Sequence, residues 1–301
     1  EVIVTLGSKE GLANLAQAIT SPGDIILSPN PSYPIHPYGF IIAGASLRHL
    51  PAMDEGIFNP NLYLERLDKS IRESVPAPIA LITSFPSNPT AQVASIDFYQ
   101  EVVKIALKYN VYILSDLAYA EIYYDDIIPP SILQVPKAKE IAVEFTSMSK
   151  TYAMAGWRIG FAVGNIKLIN ALTRIKSYLD YGAFTPVQVA ATAALNGPQD
   201  CVTEIRNTYQ KRRDVLIQSM ARSGWNIPSP QASMFAWAPL PDKYKNSGSL
   251  EFAKELMLKA DVAVAPGVAF GEYGEGFVRV GLVENEQRIK QAAKNIKKLL
   301  L

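Results

Sequence analysis

Between Glu1 and about residue 165, short apolar runs alternate with longer segments whose apolar residues recur every three or four positions. Pro78–Ser84, Val111–Ser115, Ile141–Phe145 and Ile159–Val163 carry few polar interruptions and read as buried strands. Leu12, Leu15, Ala16 and Ile19 share one face of a helix. Asn59–Arg72, Ile96–Tyr109 and Ile166–Tyr178 read as helices as well. Strands separated by helices pair in parallel, because each connection must cross back over the sheet. The expected fold class is α/β, with a mainly parallel central sheet covered by helices on both faces. In such sheets ligands bind at the carboxyl ends of the strands.

The later chain reads differently. A long helix is expected over Cys201–Ser223, then a strand over Ser233–Trp237, a helix over Leu250–Lys259, and strands over Val262–Ala265 and Gly276–Gly281. A last helix starts near Glu286, with Ile289, Ala293, Ile296 and Leu300 in one stripe and Lys290, Lys294, Lys297 and Lys298 on a solvated face. This pattern predicts a large unit over 1–205 and a smaller α+β unit over 206–301.

Composition narrows the function. A net charge of +1 gives no reason to expect nucleic acid or a membrane surface as partner. Cys201 is the single cysteine, which excludes an internal disulfide and fits a reducing, cytoplasmic setting. The two histidines belong to no cluster with metal-ligand spacing, so no metal is expected. No apolar run approaches the ~18 residues of a spanning helix. The chain opens inside a strand without Met, so further sequence upstream is expected.

The most specific stretch is Ser147-Met148-Ser149-Lys150, followed at a distance by Arg158-Ile159-Gly160, all between two expected strands. A lysine held there can condense with an aldehyde. Two hydroxyls before it and an arginine after it suit a phosphate. An aldehyde that carries a phosphate describes pyridoxal 5'-phosphate. The rest of the chain supplies what that cofactor requires. Gly7, Ser8 and Lys9 stand where a strand turns into a helix, a ready anion site that Ser147, Ser149 and Arg158 would complete. Asp116, at a strand's carboxyl end, suits the pyridine nitrogen, and Tyr119 and Asn88 suit the phenolic oxygen. Tyr33, presented by a rigid Pro-rich loop, suits the ring face. Arg279 suits a substrate α-carboxylate.

In order and spacing, Gly7-Ser8-Lys9, Pro31-Ser32-Tyr33, Asn88-Pro89-Thr90, Asp116-Leu117-Ala118-Tyr119, the lysine stretch, Arg158 and Arg279 resemble the class I/II aminotransferases. The resemblance implies a fold-type I enzyme in which Lys150 is both cofactor anchor and proton shuttle, with Asp116 and Tyr119 also catalytic. It places His36 behind Asp116, and counts both Asn88 and Arg279 as substrate-binding. Pro29–His36, Phe85–Gln92 and Met154–Phe161 are most similar to bacterial glutamate–pyruvate (alanine) transaminases, a branch related to LL-diaminopimelate aminotransferases.

That likeness implies ping-pong transfer of an amino group between an L-amino acid and a 2-oxo acid. Alanine and pyruvate with glutamate and 2-oxoglutarate are the expected pairs. A carbon–sulfur lyase on the same fold, or an inactive homologue serving as a dimer partner, are the alternatives. The family also implies a homodimer, for which Tyr181, Phe184 and Thr185 are interface candidates, and an N-terminal segment that this chain lacks.

Overall fold

A computed structural model of the chain describes residues 1–54 and 56–300. Strand β1 (Val2–Thr5) turns through Leu6 and Gly7 into helix α1 (Ser8–Ile19). β2 (Ile25–Pro29), α2 (Ile35–Ile42) and β3 (Ser46–Leu50) follow. Two short strands, β4 (Met53–Asp54) and β5 (Ile57–Phe58), precede α3 (Pro60–Glu73) and β6 (Ala80–Ser84). Next come α4 (Ile96–Tyr109), β7 (Tyr112–Asp116), β8 (Ala142–Ser147), the one-turn α5 (Met148–Thr151) and β9 (Gly160–Gly164). Three helices succeed them: α6 (Ile166–Leu179), α7 (Thr185–Asn196) and α8 (Asp200–Arg222). The chain continues with β10 (Phe235–Pro239), α9 (Ser249–Ala260), β11 (Ala265–Pro266), β12 (Phe277–Gly281) and α10 (Glu286–Leu300).

Local chemistry sets the helix ends. The Ser95 side chain accepts from the Phe98 amide and starts α4, and Asn110 ends it in the left-handed conformation that Asn tolerates. Asn59 caps α3, with Pro60 at its first position. Asn165 accepts from the Lys167 and Leu168 amides at the start of α6.

Seven strands form one sheet in the order β1-β9-β8-β7-β6-β2-β3. All neighbours from β3 to β8 are parallel, whereas β9 runs antiparallel to both β8 and β1. Six strands therefore end on one edge of the sheet, and β9 begins there. Alternation along the strands feeds two apolar layers. Leu81 and Ile113 face α3 and α4, joining Tyr63, Leu67, Phe98 and Val102. Ile82 and Leu114 face α1 and α6, joining Leu12, Leu15, Leu168 and Leu172.

A second core lies around the three-stranded sheet β10-β12-β11. It gathers Leu216 of α8, Phe252 and Leu256 of α9, Val278 and Val280 of β12, and Ile289 and Ile296 of α10. Ile122 and Tyr124, from the connection after β7, reach into it. The Tyr124 hydroxyl donates to the Ser233 carbonyl at 2.5 Å. Lys290, Lys294, Lys297 and Lys298 are exposed, as the amphipathic stripe of α10 requires.

Some elements differ from the sequence reading. Lys150 rides on the helical turn α5 rather than in a plain loop. The strand expected over Val262–Ala265 shrinks to Ala265–Pro266, because only these two residues find partners on β12. Helix α2 and the β4–β5 pair were not anticipated, being too short for a periodic signal. Tyr181 and Phe184 are exposed between α6 and α7. No helix among the described residues is long and apolar enough to cross a membrane.

Phe252 is fully buried, 5.4 Å from the Trp225 ring and 4.7 Å from Tyr244. Phe252→Ala should lower stability by about 3–5 kcal/mol, read as a fall in the urea midpoint. A midpoint within error of the parent protein would show that the second core repacks around the loss.

Candidate active site

At the edge where the parallel strands end, a cleft of about 300 Å³ opens between the large sheet and the second core. Every expected site residue except Gly7 and His36 lines it, and these two stand directly behind it. The reason is topological. Tyr33 follows β2, Asn88 follows β6, Asp116 closes β7, Ser147 closes β8, and Arg158 precedes the reversed β9.

Asp116 forms one pole. It is 7% exposed, and its Oδ2 lies 3.0 Å from Nε2 of the fully buried His36. His36 Nδ1 has no partner, so the ring proton is best placed on Nε2, where it donates to the carboxylate. Asp116 Oδ1 accepts from the Ala118 amide at 3.2 Å, which fixes the carboxylate plane. Tyr33 stands edge-on to His36, with ring centroids 6.0 Å apart.

The opposite pole is cationic. Gly7 precedes α1 at φ 88°, and no side chain caps the helix, so its first amides stay open to an anion. Arg158 lies against this turn, with Nη2 donating to the Leu6 carbonyl at 3.1 Å and Nη1 to the Ala155 carbonyl at 3.0 Å. A Cβ at Gly7 would stand 2.6 Å from Arg158 Nη2, so only glycine admits the guanidinium. Ser149 Oγ lies 3.5 Å from Arg158 Nη1, and Ser147 Oγ accepts from the Ser149 amide at 3.3 Å. Lys9 also faces the cleft, its ammonium 5.9 Å from the Tyr33 ring centroid.

Lys150 stands between the poles, 5.8 Å from the Tyr119 ring centroid. Buried Met148 anchors its helical turn beneath, and the Met148 amide donates to the Ile159 carbonyl at 3.2 Å. Burial lowers the Lys150 pKa from its ordinary value. Arg158 and Arg279 lower it further, and Asp116 opposes them. The Tyr119 phenol is pushed up, mainly by burial and then by Asp116, so it keeps its proton and can donate.

Arg279 reaches in from β12. Its Nη1 donates to Asn88 Oδ1 at 2.7 Å, and it has no carboxylate partner among the described residues. Its guanidinium lies 4.1 Å from the Phe235 ring centroid and 4.6 Å from that of Phe270. Sequence reading missed this aromatic clamp. Phe235 sits diagonally from Arg279 across the β10–β12 ladder, a relation visible only once the register is known.

A phosphate-bearing aldehyde suits this donor set. The open helix start and Arg158 form a cradle at one end, a lysine amine stands at the middle, and a carboxylate backed by histidine closes the other end. No group of three His, Cys, Asp or Glu able to hold a metal occurs among the described residues.

The sheet with its single reversed strand, and the lysine at its edge, define a fold-type I aminotransferase. Residues 1–296 match the sequence family described as aminotransferase class I and II. The chain belongs to this family and is an enzyme. It is 58% identical to the putative aminotransferase AatC of Rhizobium meliloti, over 100% of this chain and 73% of that protein. It is 54% identical to the glutamate–pyruvate aminotransferase AlaC of Escherichia coli, over 99% of this chain and 71% of that protein. Among solved structures, apo-BacF of Bacillus subtilis superposes with a TM-score of 0.92 at 33% identity, covering 99% of this chain and 78% of that one.

The lowered pKa of Lys150 has a stability consequence. Below the folded-state pKa the lysine is charged in both states, and the folded protein bears the full cost of holding that charge. Between that pKa and the ordinary 10.5, the unfolded chain binds more protons, so the cost fades as pH rises. Without cofactor, Lys150→Met should therefore melt at a higher temperature than the parent at neutral pH. The gap should close as pH approaches 10.5. A variant that melts no higher at any pH would show that the charged amine is well accommodated.

Proposed function

We propose that this aminotransferase uses pyridoxal 5'-phosphate to move an amino group from an L-amino acid to a 2-oxo acid in two half-reactions. The observation that carries the reading is the placement of Lys150 between an anion cradle and a buried carboxylate, with Arg279 facing it from the second core. When bound, the cofactor supplies an aldehyde that amines condense with and a ring that withdraws electrons from the carbon being deprotonated.

This chain's residues have the remaining work. Gly7, Ser8 and Lys9 at the start of α1, with Ser147, Ser149 and Arg158, hold the phosphate. Asp116, oriented by His36, would favour a proton on the ring nitrogen through its negative charge. Tyr119 and the amide nitrogen of Asn88, which line the cleft, would donate to the phenolic oxygen, and Tyr33 would cover the ring. Arg279 grips the α-carboxylate in a bidentate pair and so orients the Cα–H bond. Lys150 Nζ, with its lowered pKa, takes that proton as a base and returns it in the same half-reaction. One water supplies the keto oxygen as the donor leaves as its 2-oxo acid with its amino group retained at the site, and an incoming 2-oxo acid takes up that amino group and releases water by the reverse steps.

Alanine with pyruvate and glutamate with 2-oxoglutarate are the favoured pairs, supported by the likeness to AlaC. Borohydride reduction of the holoenzyme, followed by peptide mapping, should place the pyridoxyl group on Lys150. L-Alanine alone should then give one equivalent of pyruvate per site in the unreduced enzyme. Labelling of another lysine, or turnover that releases ammonia without a 2-oxo acceptor, would refute the assignment.

A second test isolates the carboxylate grip. Arg279→Lys keeps the charge but loses the planar fork. It should lower kcat/KM for alanine by about a hundredfold, the loss of one bidentate charge-assisted pair at ~2–3 kcal/mol. The cofactor absorbance band should not move. Unchanged kinetics would place the substrate carboxylate elsewhere.

A further inference from the structure

Behind the cationic pole lies a buried ion cluster that none of the steps above uses. Lys176 of α6 is 3% exposed, and its ammonium donates to Glu10 Oε1 at 2.8 Å and to Asp180 Oδ2 at 2.7 Å. Asn14, also buried, donates to the same oxygen of Glu10. The other oxygen, Glu10 Oε2, accepts from the Leu6 amide at 2.8 Å. The Leu6 carbonyl in turn accepts from Arg158 Nη2 at 3.1 Å. Leu6 thus links the cluster, through its N–H, to the arginine of the anion cradle, through its C=O.

The position of Glu10 gives this linkage its meaning. Glu10 is in the first turn of α1, where a carboxylate is drawn to the free amides of the helix start. Those amides belong to the anion cradle. Yet no side chain caps them, because Glu10 is turned back onto Leu6. Lys176 is its only ion-pair partner among the described residues. Buried ion clusters are poor sources of stability, since well-packed apolar groups often serve as well or better.

We propose that Lys176 is a positioning residue for the cofactor's phosphate. By holding Glu10 on the Leu6 amide, it keeps the protein's own carboxylate away from the start of α1. The Leu6 carbonyl then stays in place to hold Arg158, and the cradle stays open to an external anion. Asp180 extends the brace, because its Oδ1 accepts from the Gly182 amide and fixes the turn after α6. The proposal rests on the cofactor reading above and adds to it a residue that touches neither cofactor nor substrate.

Pyridoxal, the same aldehyde without the phosphate, separates phosphate recognition from the rest of the site. Parent protein, Lys176→Met and the double variant Glu10→Gln/Lys176→Met are each titrated with pyridoxal phosphate and with pyridoxal, following cofactor absorbance. Lys176→Met should bind pyridoxal phosphate about tenfold more weakly, the scale of one misplaced charge at a helix start, and pyridoxal as before. The double variant should recover most of the loss, because a neutral amide does not compete for the cradle. Equal loss for both ligands, or no recovery in the double variant, would make the cluster a packing feature and overturn the proposal. Should Lys176→Met not reach a native circular dichroism spectrum, Lys176→Gln carries the same comparison. A parent protein that binds both ligands alike would overturn the cofactor reading itself and this proposal with it.

Discussion

The antiparallel pairing of Ser147 with Gly160 decides which residues meet in the cleft. It forces the chain that leaves β8 to return to the same edge of the sheet. The segment between must fold back on itself, which brings Lys150 and Arg158 to one cleft. Gly160 makes the closure possible, since a Cβ there would strike the Thr146 carbonyl and crowd the Ser8 amide. β9 then pairs with β1 on its other side and brings the start of α1 alongside. One register therefore assembles a lysine, an arginine and a helix N-terminus from distant parts of the chain.

The cleft is a gradient of charge rather than a collection of separate contacts. Arg158 and the amides of α1 make one end positive, and Asp116 makes the other negative. Lys150 lies between them with its ammonium form disfavoured. Such a field is fixed before any ligand arrives, so little reorganisation is required when charge shifts during reaction. The stiffness comes from the two apolar layers on the large sheet, which leave its strand ends little freedom to move.

Much of this was legible in the residues, for identifiable reasons. Buried strands such as Ala80–Ser84 announce themselves as apolar runs, and α4 carries both its cap and its stop in Ser95 and Asn110. The residues that meet in the cleft were legible through their order, because ligands bind at strand ends in a parallel sheet. Contacts between distant residues were not. Lys176 and Glu10 are 166 positions apart, and nothing local marks either as a partner. Nothing local marked Phe235 or Phe270 either: the β10–β12 register sets the first against Arg279, and the chain after β11 brings up the second. The pair β4–β5 failed to register because two residues cannot display a period.

On the proposed function, the bond between Arg279 and Asn88 bears on which amines would be turned away. The guanidinium lies against two aromatic rings and donates to one neutral amide oxygen, with no carboxylate partner among the described residues. An amine without a carboxylate can approach Lys150, but it would bury that guanidinium against nothing of opposite charge. Rejection would then come from a charge that the wrong molecule fails to pair. A cell is crowded with primary amines, on polyamines and on the lysines of every protein. On the proposed chemistry, an arginine waiting for a carboxylate helps keep a reactive aldehyde from being spent on them.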